Sequence, residues 1–225
     1  MNTPVNIAEF TVIILILLTC ISSYIGFNNQ FVFQRYQFHV GSILRDKQYR
    51  RLFTSGFLHA DWMHLLFNML TLYFFYPPVL FNFGVWGFLI LYFGALCSGS
   101  LFSLWLYRNR PSYAAIGASG AVSGVLFASI AVYPHMSIFF FFIPIPIPAW
   151  IFATLYFAYS VHMMLNPKAW DNIGHAAHLG GAVFGMVFVL LLTPAAVLSN
   201  ALYLGIMTLP LLYLGYELFF GKKRL

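Results

Sequence analysis

Apolar runs of about 20 residues recur along this chain, each long enough to cross the roughly 30 Å hydrocarbon core of a bilayer as a helix. In lipid every backbone N–H and C=O must find its partner within the protein, so runs of this length are read as spanning helices. Seven spans are expected, at 7–24, 62–80, 85–107, 115–133, 149–165, 173–192 and 198–220. Composition agrees: 61% of the residues are hydrophobic and only 7% are charged, too few to keep a soluble domain of 225 residues dissolved. The expected fold class is therefore all-α, a polytopic membrane helix bundle.

The first run has no basic residue before it and no small-residue cleavage site after it, so it reads as a span and not as a secretory leader. A long polar and aromatic connection, 25–61, follows it. Pro77, Pro78 and the Asn82-Phe83-Gly84 turn are expected to end the second span. Pro144, Pro146 and Pro148 interrupt an apolar stretch before the fifth span, which reads as a loop or re-entrant segment. Cys20 and Cys97 both lie inside apolar runs, so neither a disulfide framework nor a metal site is expected from them.

The net charge of +6 raises the question of nucleic acid, but the basic residues lie in short connections, where they set orientation or meet lipid headgroups. No nucleic-acid partner is expected. All 11 Lys and Arg fall on the connections after spans one, three, five and seven. The positive-inside rule then places that side in the cytoplasm and the N-terminus outside.

A polar side chain inside a span is costly without a partner, so each one is a site candidate. Glu9 and Glu217 lie near helix ends, and Asp46, Asp61 and Asp171 fall in connections. That disfavours a paired-aspartate protease. There is no His-Glu-x-x-His, which removes a zinc protease, and no cofactor or metal is expected. What remains is His64 and Asn68 one turn apart in the second span, Ser119 between Gly117 and Gly120 in the fourth, and His175 and His178 in the sixth. All three groups lie near the basic-side ends of their helices and share a depth.

The glycines indicate that two of these helices can touch. Gly120-x-x-x-Gly124 and Gly181-x-x-x-Gly185 are small-residue faces that permit close backbone approach. Packing through them would bring Ser119 Oγ toward His178, and a serine hydroxyl becomes a useful nucleophile only when a base takes its proton. No acid is placed to orient His178, so a dyad is expected. The start of the fourth helix offers free N–H groups, and His64 and Asn68 could add donors for an oxyanion.

Each feature also has a plain structural explanation. Gly-x-Ser-Gly in a membrane helix is, by itself, more often packing than chemistry. His64 and Asn68 can serve as interhelical glue, and His175 reads more readily as a supporting residue than as a catalytic one. His59, Asp61 and His64 straddle a helix start and make a poor metal site. A soluble-esterase elbow needs Gly-x-Ser-x-Gly after a strand, whereas Ala121 stands where the second glycine belongs.

Taken together, three ordered blocks resemble the rhomboid family of intramembrane serine proteases: Arg51 to Asn68 with His59 and His64, then Gly117-Ala-Ser119-Gly120, then Ala177-His178-Leu-Gly-Gly181. The likeness runs from about Tyr49 to Gly185. It implies a six-helix catalytic core (1–194, with the long first loop 25–61) and one added C-terminal transmembrane helix with a basic tail (195–225). It assigns Ser119 and His178 as the dyad, and His64, Asn68 and the Ser119 N–H as the oxyanion hole. Gly117, Gly120, Gly181 and His175 take supporting places. It implies transmembrane proteins as substrates, no cofactor, and lateral entry past the fifth helix and its proline-rich approach.

The chain departs from the family pattern at Arg50, where the first loop often carries Trp, and at Ser123, where an aromatic commonly lies beneath the imidazole. The resemblance also places the active-site end outside, against the charge rule. The expected activity is peptide-bond hydrolysis within a cell (plasma) membrane, at a polar cavity among spans two, four, five and six open toward the loops. The rivals are a non-catalytic relative that binds membrane helices and, further off, a small-solute transporter.

Overall fold

The computed structural model describes residues 7–140 and 143–221, so the basic tail Lys222-Lys223-Arg224 lies outside the described residues. Helix α1 (Ile7–Asn28) leads into a connection built of short pieces: α2 (Gln30–Tyr36), β1 (Phe38–His39), α3 (Val40–Leu44), α4 (Arg51–Thr54) and a 3-10 turn, Ser55–Phe57. Arg51 ties these pieces down. Its guanidinium, largely buried, donates to the carbonyls of Gln34 and Gln37 at 2.7 and 2.8 Å and to Gln48 Oε1 at 2.7 Å. Arg50, in the place where the family often has Trp, lies over the Tyr36 ring.

The next two spans form one long element, α5 (Trp62–Leu106), with a single break at Gly84. Pro77 and Pro78 do not end the helix, as the sequence reading expected; they lie inside it. The turn is made by Gly84, whose φ of 64° and ψ of −173° only glycine adopts at low cost. A Cβ there would meet nothing, so conformation and not space requires the glycine. Asn82 Nδ2 donates to the Pro78 carbonyl at 2.7 Å and Ser129 Oγ to that of Phe75 at 2.7 Å, polar support beside the prolines.

The fourth span begins later than expected. Ala114–Ala115 forms β2, paired antiparallel with β1, and α6 runs only from Ser119 to Val132. Helix cannot start earlier because Gly117 has φ of +121°. Next, Ser137–Phe140 (β3) and Ile143–Pro148 (β4) pair as an antiparallel hairpin where a broken loop was expected. The three prolines of β4 share one parity, so the N–H groups they lack belong to one edge of the strand and pairing on the other edge survives.

The remaining helices are α7 (Ala149–Leu165), α8 (His175–Leu192), the short α9 (Pro194–Ser199) and α10 (Ala201–Phe219). The seventh span corresponds to α10, set off from α9 at Asn200, whose Nδ2 reaches the Val132 carbonyl at 3.1 Å at the end of α6.

At the centre, α6 is enclosed by α5 and α8, with every residue from Gly120 to Ala131 buried. A helix of 14 residues is about 21 Å long, short of the roughly 30 Å hydrocarbon core. Its C-terminal end meets the turn residues Asn82, through Tyr133, and Asn200. A helix this short does not by itself cover the thickness of a hydrocarbon core. The chain is a polytopic all-α bundle, and among the described residues four helices are long and apolar enough to cross a membrane.

Candidate active site

Ser119 is the first residue of α6, whereas the expected span begins four residues before it. Its N–H belongs to the first turn, which lacks intrahelical acceptors. The strand that delivers it is held by backbone hydrogen bonds to the first loop: Val40 N–H to Tyr113 O at 3.0 Å, Gly41 N–H to Pro111 O at 2.9 Å and Gly117 N–H to Ser55 O at 3.0 Å.

The expected glycine faces meet. A Cβ at Gly181 would collide with the Gly120 carbonyl, and one at Gly185 with the Gly124 carbonyl. A Cβ at Gly120 would lie 3.2 Å from the carbonyl oxygen of Ala177, the residue before His178. Backbone therefore touches backbone where α6 and α8 carry Ser119 and His178, and both side chains stay half-buried. Among the described residues no hydrogen bond joins Ser119 Oγ to His178. The imidazole Nδ1 instead pairs with Tyr156 Oη of α7 at 2.7 Å, and the two rings are near parallel, 21° apart in plane. This leaves Nε2 as the ring nitrogen available to Ser119.

His64 lies across Gly117 from Ser119. A Cβ at Gly117 would sit 2.8 Å from His64 Cε1 and Nε2 and 3.7 Å from Ser119 Oγ, so glycine is needed for space as well as for φ. Asp61 caps α5 by accepting the His64 N–H at 2.8 Å. Asn68 is buried, and its Nδ2 donates to the His64 carbonyl at 2.9 Å, which leaves the amide one further N–H.

His175 lies beside His178, with ring centres 6.4 Å apart. Its Nε2 bonds Asp171 Oδ2 at 2.8 Å, while Nδ1 is buried without a partner among the described residues. Burial works against ionising Asp171, yet hydrogen bonds from His175 and the Ile173 N–H hold its carboxyl below the usual range. A cavity of about 180 Å³ opens here, lined by Tyr107, Arg110, Tyr113, Lys168, Asp171 and His175 among others. It includes neither Ser119 nor His178, and so is not the expected cavity.

His59, whose sequence position makes it only a poor metal ligand, contributes in another way. It is fully buried and uses both nitrogens. The Ala118 N–H donates to Nε2 at 3.3 Å, so the ring proton sits on Nδ1 and goes to Ser23 Oγ at 2.9 Å. The Ser23 hydroxyl then donates to Phe57 O at 3.0 Å. This relay links α1, the first loop and the residue before Ser119. Burial first, then the neighbouring His64, pushes His59 down to about 3, so it stays neutral. Ser23 gave no sequence signal, and Tyr156 is one aromatic in a chain that is 20% aromatic. Only the small residue at Ser123 hinted that the ring supporting the imidazole comes from elsewhere.

The family model described as the Rhomboid domain matches residues 46–195. Among curated proteins, the chain is 35% identical over 141 residues to Rhomboid protein 1, mitochondrial, of Saccharomyces cerevisiae, covering 60% of this chain and 39% of that one. It is 28% identical over 176 residues to RHOMBOID-like protein 12, mitochondrial, of Arabidopsis thaliana, covering 72% of this chain and 51% of that one. It is 32% identical over 149 residues to Rhomboid-like protease 5 of Toxoplasma gondii, covering 61% of this chain and 16% of that one. The chain thus spans about half or less of the length of these relatives. The expected plasma-membrane location does not stand beside relatives of which two are named as mitochondrial; a multi-pass membrane protein does.

Proposed function

This chain belongs to the rhomboid family, and from that premise we propose that it is a serine endopeptidase cutting transmembrane segments of other proteins within the bilayer. The observation that carries the reading is the glycine contact of α6 with α8, in which Gly120, next to Ser119, lies against the carbonyl of Ala177, next to His178. Residues 1–194 would form the catalytic core, with 195–225 as an added helix and tail.

In this reading a transmembrane segment unwinds near the basic-side end of α6. His178 Nε2 takes the Ser119 proton as Oγ attacks the scissile carbonyl. The Ser119 N–H stabilises the oxyanion, with His64 and the remaining N–H of Asn68 turned toward it. The imidazolium then protonates the leaving amine. A water activated by the same imidazole cleaves the acyl-serine and restores Oγ–H. Asp171 is paired with His175, which supports a base working without an acid of its own.

The test is purified protein in lipid with a model transmembrane substrate. Cleavage by the wild type and none by Ser119→Ala is expected. Cleavage that persists in Ser119→Ala would sink the mechanism, and no cleavage by either would favour the helix-binding relative.

A further inference from the structure

The base of the proposed dyad is tied to a helix that the central packing barely holds. α5, α6 and α8 pack on one another extensively, whereas α7 lies mainly against α10 and touches α6 and α8 over a small area. That area is aromatic: Phe157 stacks on Phe127 of α6 at 4.2 Å between ring centres, and Tyr156 lies 5.5 Å from the same ring. Within it sits the 2.7 Å hydrogen bond between Tyr156 Oη and His178 Nδ1. The hydroxyls of Ser123 on α6 and of Ser160, one turn along α7, lie beside the phenol. Ser160 Oγ is buried without a hydrogen-bond partner among the described residues.

These contacts allow one consistent proton arrangement that leaves a working base. If the phenol donated to Nδ1, the ring proton would sit on Nε2 and could not be replaced by that of Ser119. If Nδ1–H donates to Oη, Nε2 carries the lone pair, and the phenol proton is free for the serine hydroxyls. We infer that Tyr156 is a positioning residue for His178: its oxygen accepts the Nδ1 proton, keeps Nε2 basic toward Ser119, and makes the base ready only while α7 is seated against α6 and α8. Displacing α7 withdraws the phenol, so the site does not react while that side of the bundle is open. The inference rests on the protease reading, but its spectroscopic test does not.

In wild-type protein labelled with ¹⁵N-histidine, the His178 imidazole should show the Nδ1–H tautomer, and Tyr156→Phe should give a mixture with Nε2–H. An Nε2–H tautomer in the wild type overturns the proposal whether or not any variant folds. Tyr156→Phe should slow the reaction of Ser119 with a fluorophosphonate by about tenfold, the rate equivalent of one hydrogen bond, and should lower kcat more than it raises KM. An unchanged labelling rate overturns it. For the role of α7, Phe157→Leu should slow labelling severalfold in the wild-type background and add little to Tyr156→Phe; additive effects would refute the coupling. Ser119→Ala separates the two readings. If it still cleaves, the protease mechanism fails while the tautomer experiment still decides Tyr156. If it is inactive while Tyr156→Phe labels normally, the present inference fails alone.

Discussion

The α5–α6–α8 trio and the α7–α10 pair are joined by different means. In the trio, backbone meets backbone: Gly181 against the Gly120 carbonyl, Gly185 against that of Gly124, Gly180 against Gly99 and the Ser98 carbonyl. Ser98 Oγ adds a 3.0 Å hydrogen bond to Gly180 O. In the outer pair the glycines Gly205 and Gly215 touch nothing within 4 Å of a notional Cβ, and contact is made by side chains such as Trp150 on Tyr203. Lipid tails are as apolar as leucine, so membrane helices associate through close fit and polar ties. A seam of glycine backbone has one distance at which it fits, while a seam of rings can repack. The proposed nucleophile and base lie on the first kind of seam, and the group bonded to the base comes from the second.

Substitution at the two kinds of glycine is the sharpest way to break this contrast. Gly181→Val should force α6 from α8, lowering stability by about 1–3 kcal/mol or more and abolishing cleavage, as read by resistance to denaturant and by substrate turnover. An active, stable Gly181→Val would show that the trio is not held by backbone contact. Next in size is Arg51→Ala, which strips the Gln34 and Gln37 carbonyls of their charged donor. A loss of about 1.5–3 kcal/mol is expected, with protease nicking in the first loop as the readout.

His59→Ala should follow at about 1–3 kcal/mol, because Ser23 and the Ala118 N–H lose a buried partner. The same histidine gives stability a pH dependence. Its folded value of about 3 lies below the unfolded 6.5, so the unfolded chain binds a proton that the folded chain refuses. Its contribution is complete above about pH 6.5 and is lost as pH falls toward 3, at ~1.4 kcal/mol per pH unit. His59→Gln should flatten that part of the profile; an equally steep profile would mean another group titrates. Smallest of all, Gly205→Val in α10 should change stability by less than about 0.5 kcal/mol.

What could be read from sequence follows the same division. The glycine spacing and the polar residues at one depth identified the contact of α6 with α8 because both are periodic, local signals on regular helices. The start of α6 was misplaced because pairing with the first loop and the φ of Gly117 depend on distant residues. The sequence points to a break where the hairpin before α7 stands, because proline counts against a strand until its alternating parity is considered. Tyr156 and Ser23 were invisible for a related reason: each matters through a partner more than 20 residues away. Side-chain contacts made across helices leave no periodic trace.

The central claim is that Ser119 is a nucleophile made reactive by His178. Treating the membrane-embedded protein with a fluorophosphonate and locating the adduct by mass spectrometry tests it most directly. A single adduct on Ser119, lost in His178→Ala although Ser119 is still present, is the predicted result. An adduct on another residue, or Ser119 labelling at the same rate without the imidazole, would contradict it.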